Sequence, residues 1–126
     1  MSKVPRILVV EDNPMNLELV RDILTAEGYE VIEAADGATG VAVAAIEHPA
    51  LILMDLQLPG LDGLEATRQI RADPALRDIP IVAVTAHAMK GDDDKALAAG
   101  CDGFVAKPIQ VRAFVATVKK FLGEKV

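Results

Sequence analysis

The sequence predicts an α/β fold, a five-stranded doubly wound parallel sheet in the order 2-1-3-4-5 with five helices. Short aliphatic runs alternate five times with longer segments of helical character, which is the signature of βα units joined by right-handed crossovers. Three of those runs, Ile7-Leu8-Val9-Val10, Leu51-Ile52-Leu53-Met54 and Ile81-Val82-Ala83-Val84, are continuously apolar rather than alternating. Strands of that kind are buried on both faces, as in a parallel sheet covered by helices on either side. The length of 126 residues suits one domain, which buries roughly two thirds of its unfolded surface and needs neither disulfides nor a structural metal to fold.

The first strand is expected at Arg6–Val10, followed by a helix over residues 14–27. Asn13 is placed to cap that helix, Pro14 to open it and Gly28 to stop it. The second strand, Glu30–Ala34, mixes Glu30 and Glu33 into its apolar residues as an edge strand would. An apolar helix follows around residues 41–46; core packing accounts for most of it, with part left over for an exposed patch. The third strand is expected at residues 51–54 and the fourth at Ile81–Thr85, with a helix between them. A helix over residues 90–99 opens on Gly91-Asp92-Asp93-Asp94, which suits the positive end of its dipole. Leu97 is its one large apolar anchor, so it is expected to be the least firmly docked element. The fifth strand is expected at Gly103–Ala106, and in the last helix Val111, Phe114, Val115, Val118 and Leu122 share one face.

Composition excludes several function classes. Hydrophobic residues at 52% and charged residues at 25% exclude a disordered chain. With 3% aromatics and no Trp, the core must be built from Val, Ile, Leu and Ala. A net charge of −6 argues against nucleic acid as a partner. The longest apolar stretches, residues 41–46 and 50–54, are far short of the roughly 18 that mark a membrane span. The N-terminus lacks the blocks of a signal peptide, and a single cysteine, Cys101, excludes a disulfide framework. A cytoplasmic single domain over residues 1–126, with its core at about 3–123 and no output domain, is expected.

Polar residues collect where the strands end. The first strand runs into Glu11-Asp12, the third into Asp55, the fourth into Thr85 and the fifth into Lys107-Pro108. One polar strand end means only that loops meet water. Four at one rim mean more, because ligands of doubly wound sheets sit beyond the carboxyl ends of the strands, at the switch point between strands 1 and 3. Three carboxylates brought together there repel one another unless a cation is present. All-oxygen ligands favour Mg²⁺, with Mn²⁺ able to replace it, and no His or Cys is placed for zinc. A hard metal among carboxylates, beside a hydroxyl and an amine, is equipment for phosphoryl transfer. Asp55 is the candidate nucleophile, because it stands alone at the end of a central strand facing Thr85 and Lys107; Glu11 and Asp12 suit the metal.

Val9-Val10-Glu11-Asp12-Asn13, Leu53-Met54-Asp55-Leu56-Gln57-Leu58-Pro59-Gly60-Leu61-Asp62-Gly63, Val84-Thr85-Ala86 and Lys107-Pro108 resemble the receiver domain of two-component response regulators. The resemblance implies that Asp55 accepts a phosphoryl group from a phosphohistidine on a histidine kinase or histidine phosphotransferase. It also implies Mg²⁺ held by Glu11, Asp12, Asp55 and the backbone carbonyl of Gln57, with Thr85 and Lys107 on the phosphoryl oxygens. By the same resemblance the Lys107-Pro108 bond is cis, and Phe104 is a switch aromatic rather than core filler. Ala86-His87-Ala88-Met89-Lys90-Gly91-Asp92 and Gly100-Cys101-Asp102-Gly103-Phe104 are most similar to stand-alone cell-cycle regulators of the DivK type, although receivers of hybrid histidine kinases carry similar stretches. The signal is then expected to leave through the face made by helix 4, strand 5 and helix 5, on a monomer or weak dimer.

His87 reads as a tuner of hydrolysis or as an exposed loop residue, His48 as a surface residue, and Cys101 as a small reduced packing residue. Three rivals share parts of the pattern, the first being a receiver domain excised from a hybrid histidine kinase or other larger protein. A flavodoxin-like electron carrier has the same strand order, but Glu11-Asp12 would repel its phosphate and aromatics to flank a flavin are lacking. A phosphatase of the haloacid dehalogenase type needs an acid two residues beyond the nucleophile, where this chain has Gln57, and no residues remain for a substrate cap.

Overall fold

The computed structural model describes residues 4–58, 60, 62–85 and 92–124. The elements run β1 (Arg6–Val10), α1 (Pro14–Ala26), β2 (Glu30–Ala34), α2 (Gly37–Glu47), β3 (Leu51–Asp55), α3 (Gly63–Ala72), a 3₁₀ turn (Pro74–Leu76), β4 (Ile81–Thr85), α4 (Asp92–Ala99), β5 (Gly103–Ala106) and α5 (Val111–Phe121). All strands are parallel, in the order β2-β1-β3-β4-β5. β3 runs one residue further than its aliphatic run suggests, so Asp55 is itself in the sheet, in register with Val84 of β4.

The continuous apolar runs serve two cores at once, because successive side chains of a strand point to opposite faces. Ile7, Val9, Leu51, Leu53, Val82 and Val84 pack with Val20, Leu24, Phe114 and Val118 of α1 and α5. Leu8, Val10, Ile52, Met54, Ile81 and Ala83 pack with Ala44, Ala66, Ile70 and Ala96 on the other face. Each fully buried aliphatic side chain contributes about 1.5–3 kcal/mol, so these two layers hold β1, β3 and β4 in place. The edges differ: β2 leaves Glu30 and Glu33 in solvent, and β5 alternates, turning Phe104 and Ala106 outward.

The Asn13 side chain accepts hydrogen bonds from the amides of Met15 and Asn16, and α1 ends at Gly28, whose φ of 90° suits a residue without Cβ. Two expectations about helices need correction. Leu97 does not anchor α4; it is 54% exposed, and Ala96 and Ala99 face the protein instead. On α5, Phe114 and Val118 are buried but Val111, at the first position of the helix, is exposed. The α2 helix leaves Ala42, Ala45 and Ile46 exposed, the patch its sequence suggested. His48 is exposed in a left-handed conformation at the end of α2, and Cys101 is a buried free thiol against the Thr67 hydroxyl. His87 lies outside the described residues.

Candidate functional site

At the carboxyl ends of the strands the structure brings Glu11, Asp12, Asp55, Thr85 and Lys107 to one rim. Glu11 follows β1, held where its amide donates to the Ala34 carbonyl at 3.0 Å. Its carboxylate accepts from the Asn13 amide at 3.1 Å, so the turn that caps α1 also orients Glu11. Asp55 closes β3 and is 2% exposed; its Oδ1 accepts from the Gln57 amide at 2.9 Å. Thr85 closes β4 and is itself buried, and its carbonyl accepts from the Lys107 amide at 2.7 Å. That bond carries the chain from β5 into the site. The Lys107–Pro108 peptide is cis. The Lys107 Nζ lies 3.0 Å from Glu11 Oε1 and 3.1 Å from Asp55 Oδ2. Gln57 is exposed, and Phe104 lies one strand away with its ring half in solvent.

Glu11, Asp12 and Asp55 each offer a carboxylate oxygen within 4.8 Å of the others. Glu11 and Asp55 are buried while Asp12 faces solvent, leaving an open side toward water. Burial pushes the Glu11 carboxyl above its ordinary range, and its hydrogen bond to Asp55 pushes it further, against the pull of Lys107 and the Asn13 amide. For Lys107, burial works against the ammonium, but Glu11 and Asp55 outweigh it and hold the group above its usual value. The one ammonium that faces these carboxylates among the described residues is partly buried, and it leaves negative charge uncompensated. An all-oxygen set with one solvent-facing member fits a hard divalent cation that keeps several waters, Mg²⁺ or Mn²⁺, and does not fit zinc.

Sequence reasoning missed two contributors to this region. Gly63, at the start of α3, packs directly on the Asp55 backbone; it lies within a motif read from the sequence, but nothing local signals the contact. Arg71 of α3 donates to the carbonyls of Gly100 and Ile79 at 2.8 and 2.7 Å and to the Asp102 carboxylate at 2.5 Å. It ties the end of α4 to α3, and a lone arginine in a helix reads from sequence as a solvated face.

An open parallel sheet with a carboxylate cluster and a partly buried lysine at its switch point defines a doubly wound α/β domain with its candidate ligand site at the carboxyl ends of the strands. The chain belongs to the response regulator receiver domain family, whose model matches residues 7–119. It is 46% identical over 118 residues to the polar-differentiation response regulator DivK of Brucella ovis, covering 94% of this chain and 96% of that one. The receiver domain of a sensor histidine kinase from Pseudomonas aeruginosa, described with a magnesium ion coordinated in its active site cleft, superposes with a TM-score of 0.90 at 39% identity, covering 97% of this chain and all of that one. A putative response regulator from Chloroflexus aurantiacus superposes with a TM-score of 0.93 at 29% identity over 97% of this chain. Family membership favours neither the electron carrier nor the phosphatase. Among the described residues no helix is long and apolar enough to cross a membrane.

Proposed function

We propose that this chain is a stand-alone, cytoplasmic response regulator that takes a phosphoryl group from a phosphohistidine onto Asp55. The observation that carries this reading is the Lys107 ammonium bridging Glu11 and Asp55 at 3.0 and 3.1 Å. A cation fixed beside a buried carboxylate is placed to hold equatorial phosphoryl oxygens as they arrive. A carboxylate oxygen of Asp55 attacks phosphorus, the P–N bond breaks, and its electron pair leaves with the imidazole of the donor. Glu11, Asp12, Asp55 and the Gln57 backbone carbonyl would hold Mg²⁺, or Mn²⁺ in its place, which when bound offsets charge on carboxylates and phosphoryl oxygens. The donor is a histidine kinase or histidine phosphotransferase, as befits a receiver domain. The match to the DivK relative, which spans 96% of that protein, supports the stand-alone reading.

Phosphorylation adds about −1.5 to −2 charge and three acceptor oxygens to the rim. The Thr85 hydroxyl then hydrogen-bonds the new group and moves toward Asp55, and Phe104 turns inward behind it. α4, docked by two alanines, follows at little cost. The altered surface is the face of α4, β5 and α5, including the groove beside Phe104, Gln110, Ala113 and Thr117. A protein partner that prefers the new shape shifts the population toward it; the chain itself is a monomer or weak dimer.

The test is intact-mass analysis after incubation with phosphoramidate and Mg²⁺. The wild type gains one phosphoryl group, and Asp55→Asn, which keeps the shape and removes the nucleophilic charge, gains none. A phosphoryl group that persists in Asp55→Asn and maps to Asp12, Asp62 or a hydroxyl residue overturns the assignment.

A further inference from the structure

We propose that Gly63 is a positioning residue for the phosphoacceptor, the point at which the first turn of α3 seats against the Asp55 backbone and sets where its carboxylate stands. The inference rests on the reading of Asp55 as phosphoacceptor. A methyl group placed on Gly63 would lie 2.2 Å from the Asp55 carbonyl oxygen, 2.8 Å from the Leu56 Cα and 2.9 Å from the Asp55 carbonyl carbon. All three are backbone atoms, which cannot rotate away. Gly40 makes an instructive contrast: a methyl there would meet the Val10 side chain at 2.8 and 3.1 Å, and a side chain can shift.

Neither side of the Gly63 contact is free to give. The Leu56 amide donates to the Val84 carbonyl at 3.0 Å, and the Gln57 amide to Asp55 Oδ1 at 2.9 Å, so the peptide leaving Asp55 is fastened to β4 and the next peptide to the Asp55 side chain. On the helix side, the fully buried Thr67 donates its hydroxyl to the Gly63 carbonyl at 2.8 Å. Asp62 caps the turn by accepting from the Glu65 amide at 2.9 Å, and its carbonyl accepts from the Ala66 amide at the same distance. The Asp55–Leu56 peptide is therefore clamped between β4 and α3 with no room for a Cβ. Any side chain at 63 must push that peptide, and with it the Asp55 carboxylate, out of line with Lys107.

Misplacing a reacting group by about 1 Å costs on the order of a hundredfold in rate. Gly63→Ala should therefore slow labelling at Asp55 by about that factor in folded protein, with Mg²⁺ affinity also lowered. Gly40→Ala serves as the control, a buried glycine whose substitution strains the core and leaves the rate of the folded protein at the wild-type value. Initial rates with phosphoramidate, mass mapping of the labelled residue, Mg²⁺ titration by amide NMR shifts and thermal melts together separate the cases. Should Gly63→Ala not fold, Thr67→Val removes only the hydroxyl that pins the Gly63 carbonyl and should slow labelling about tenfold, with Thr67→Ser restoring it. Gly63→Ala labelling at the wild-type rate, or Thr67→Val doing so where the first variant does not fold, overturns the positioning role alone. A wild-type chain not labelled at Asp55 overturns the functional reading beneath it as well.

Discussion

α3 meets the protein through Gly63, Ala66, Thr67 and Ile70, all buried, whereas α4 buries Ala96 and Ala99 and turns Leu97 outward. The strands beside them repeat the contrast. Every residue of β3 is buried, while β5 alternates between half-buried and exposed. On the α3 side a backbone contact holds Asp55, and large aliphatic side chains hold the sheet. On the α4 side the helix is held by methyl groups at the interface and by Arg71, which ties the carbonyl of Gly100 just past its C-terminal end to α3. On the proposed function the difference is a division of labour: the half that would perform the chemistry keeps its atoms in place, and the half that would report it can move cheaply.

The contrast is broken most strongly by substitutions in the two halves. Leu53→Ala, at a site 1% exposed, should cost about 2–5 kcal/mol in chemical denaturation, because it removes core contacts and leaves a cavity. Leu97→Ala should stay within about 0.5 kcal/mol. A Leu97→Ala cost close to that of Leu53→Ala would show that α4 is docked as firmly as β3.

A smaller effect sharpens the same contrast by testing charge at the rim. The Glu11 carboxyl is held above its ordinary range, chiefly by burial. Between the ordinary carboxylate value and the raised one, the folded state therefore keeps a proton that the unfolded chain has released. Stability from this group is present below the ordinary carboxylate value and lost as pH rises through the raised one. Mg²⁺ should reverse that loss: at ten times its Kd it adds about 1.4 kcal/mol, several degrees in Tm. The gain should be larger near neutral pH than in mild acid and absent from Asp12→Ala. Equal Mg²⁺ stabilisation of Asp12→Ala and wild type would remove Asp12 from the site.

Much of this architecture was legible because the physics was local or periodic. A strand covered on both faces has to be apolar throughout, so β1, β3 and β4 stood out, and the Glu residues of β2 placed it at an edge. The rim residues were legible because parallel strands deliver their last residues to one end of the sheet. Tertiary packing hid the rest. Leu97 looks like an anchor in a short helix, but the residues that α4 turns to the protein are Ala96 and Ala99. Arg71 looks solvated, yet it gathers the carbonyls of Arg77 and Ile79 together with that of Gly100, 29 residues away. Gly63 looks like a turn residue, and its contact with Asp55 depends on a helix packing angle that no local pattern encodes.

Amide hydrogen exchange with and without beryllofluoride and Mg²⁺, a stable mimic of the phosphoryl group, tests the division between the two halves most directly. Changed protection is predicted across α4 (Asp92–Ala99) and β5 (Gly103–Ala106), with α3 and β1 unaltered, and Thr85→Ala should suppress the change in α4 and β5. Changes confined to residues 55–63, or spread equally over α3 and α4, would contradict the account.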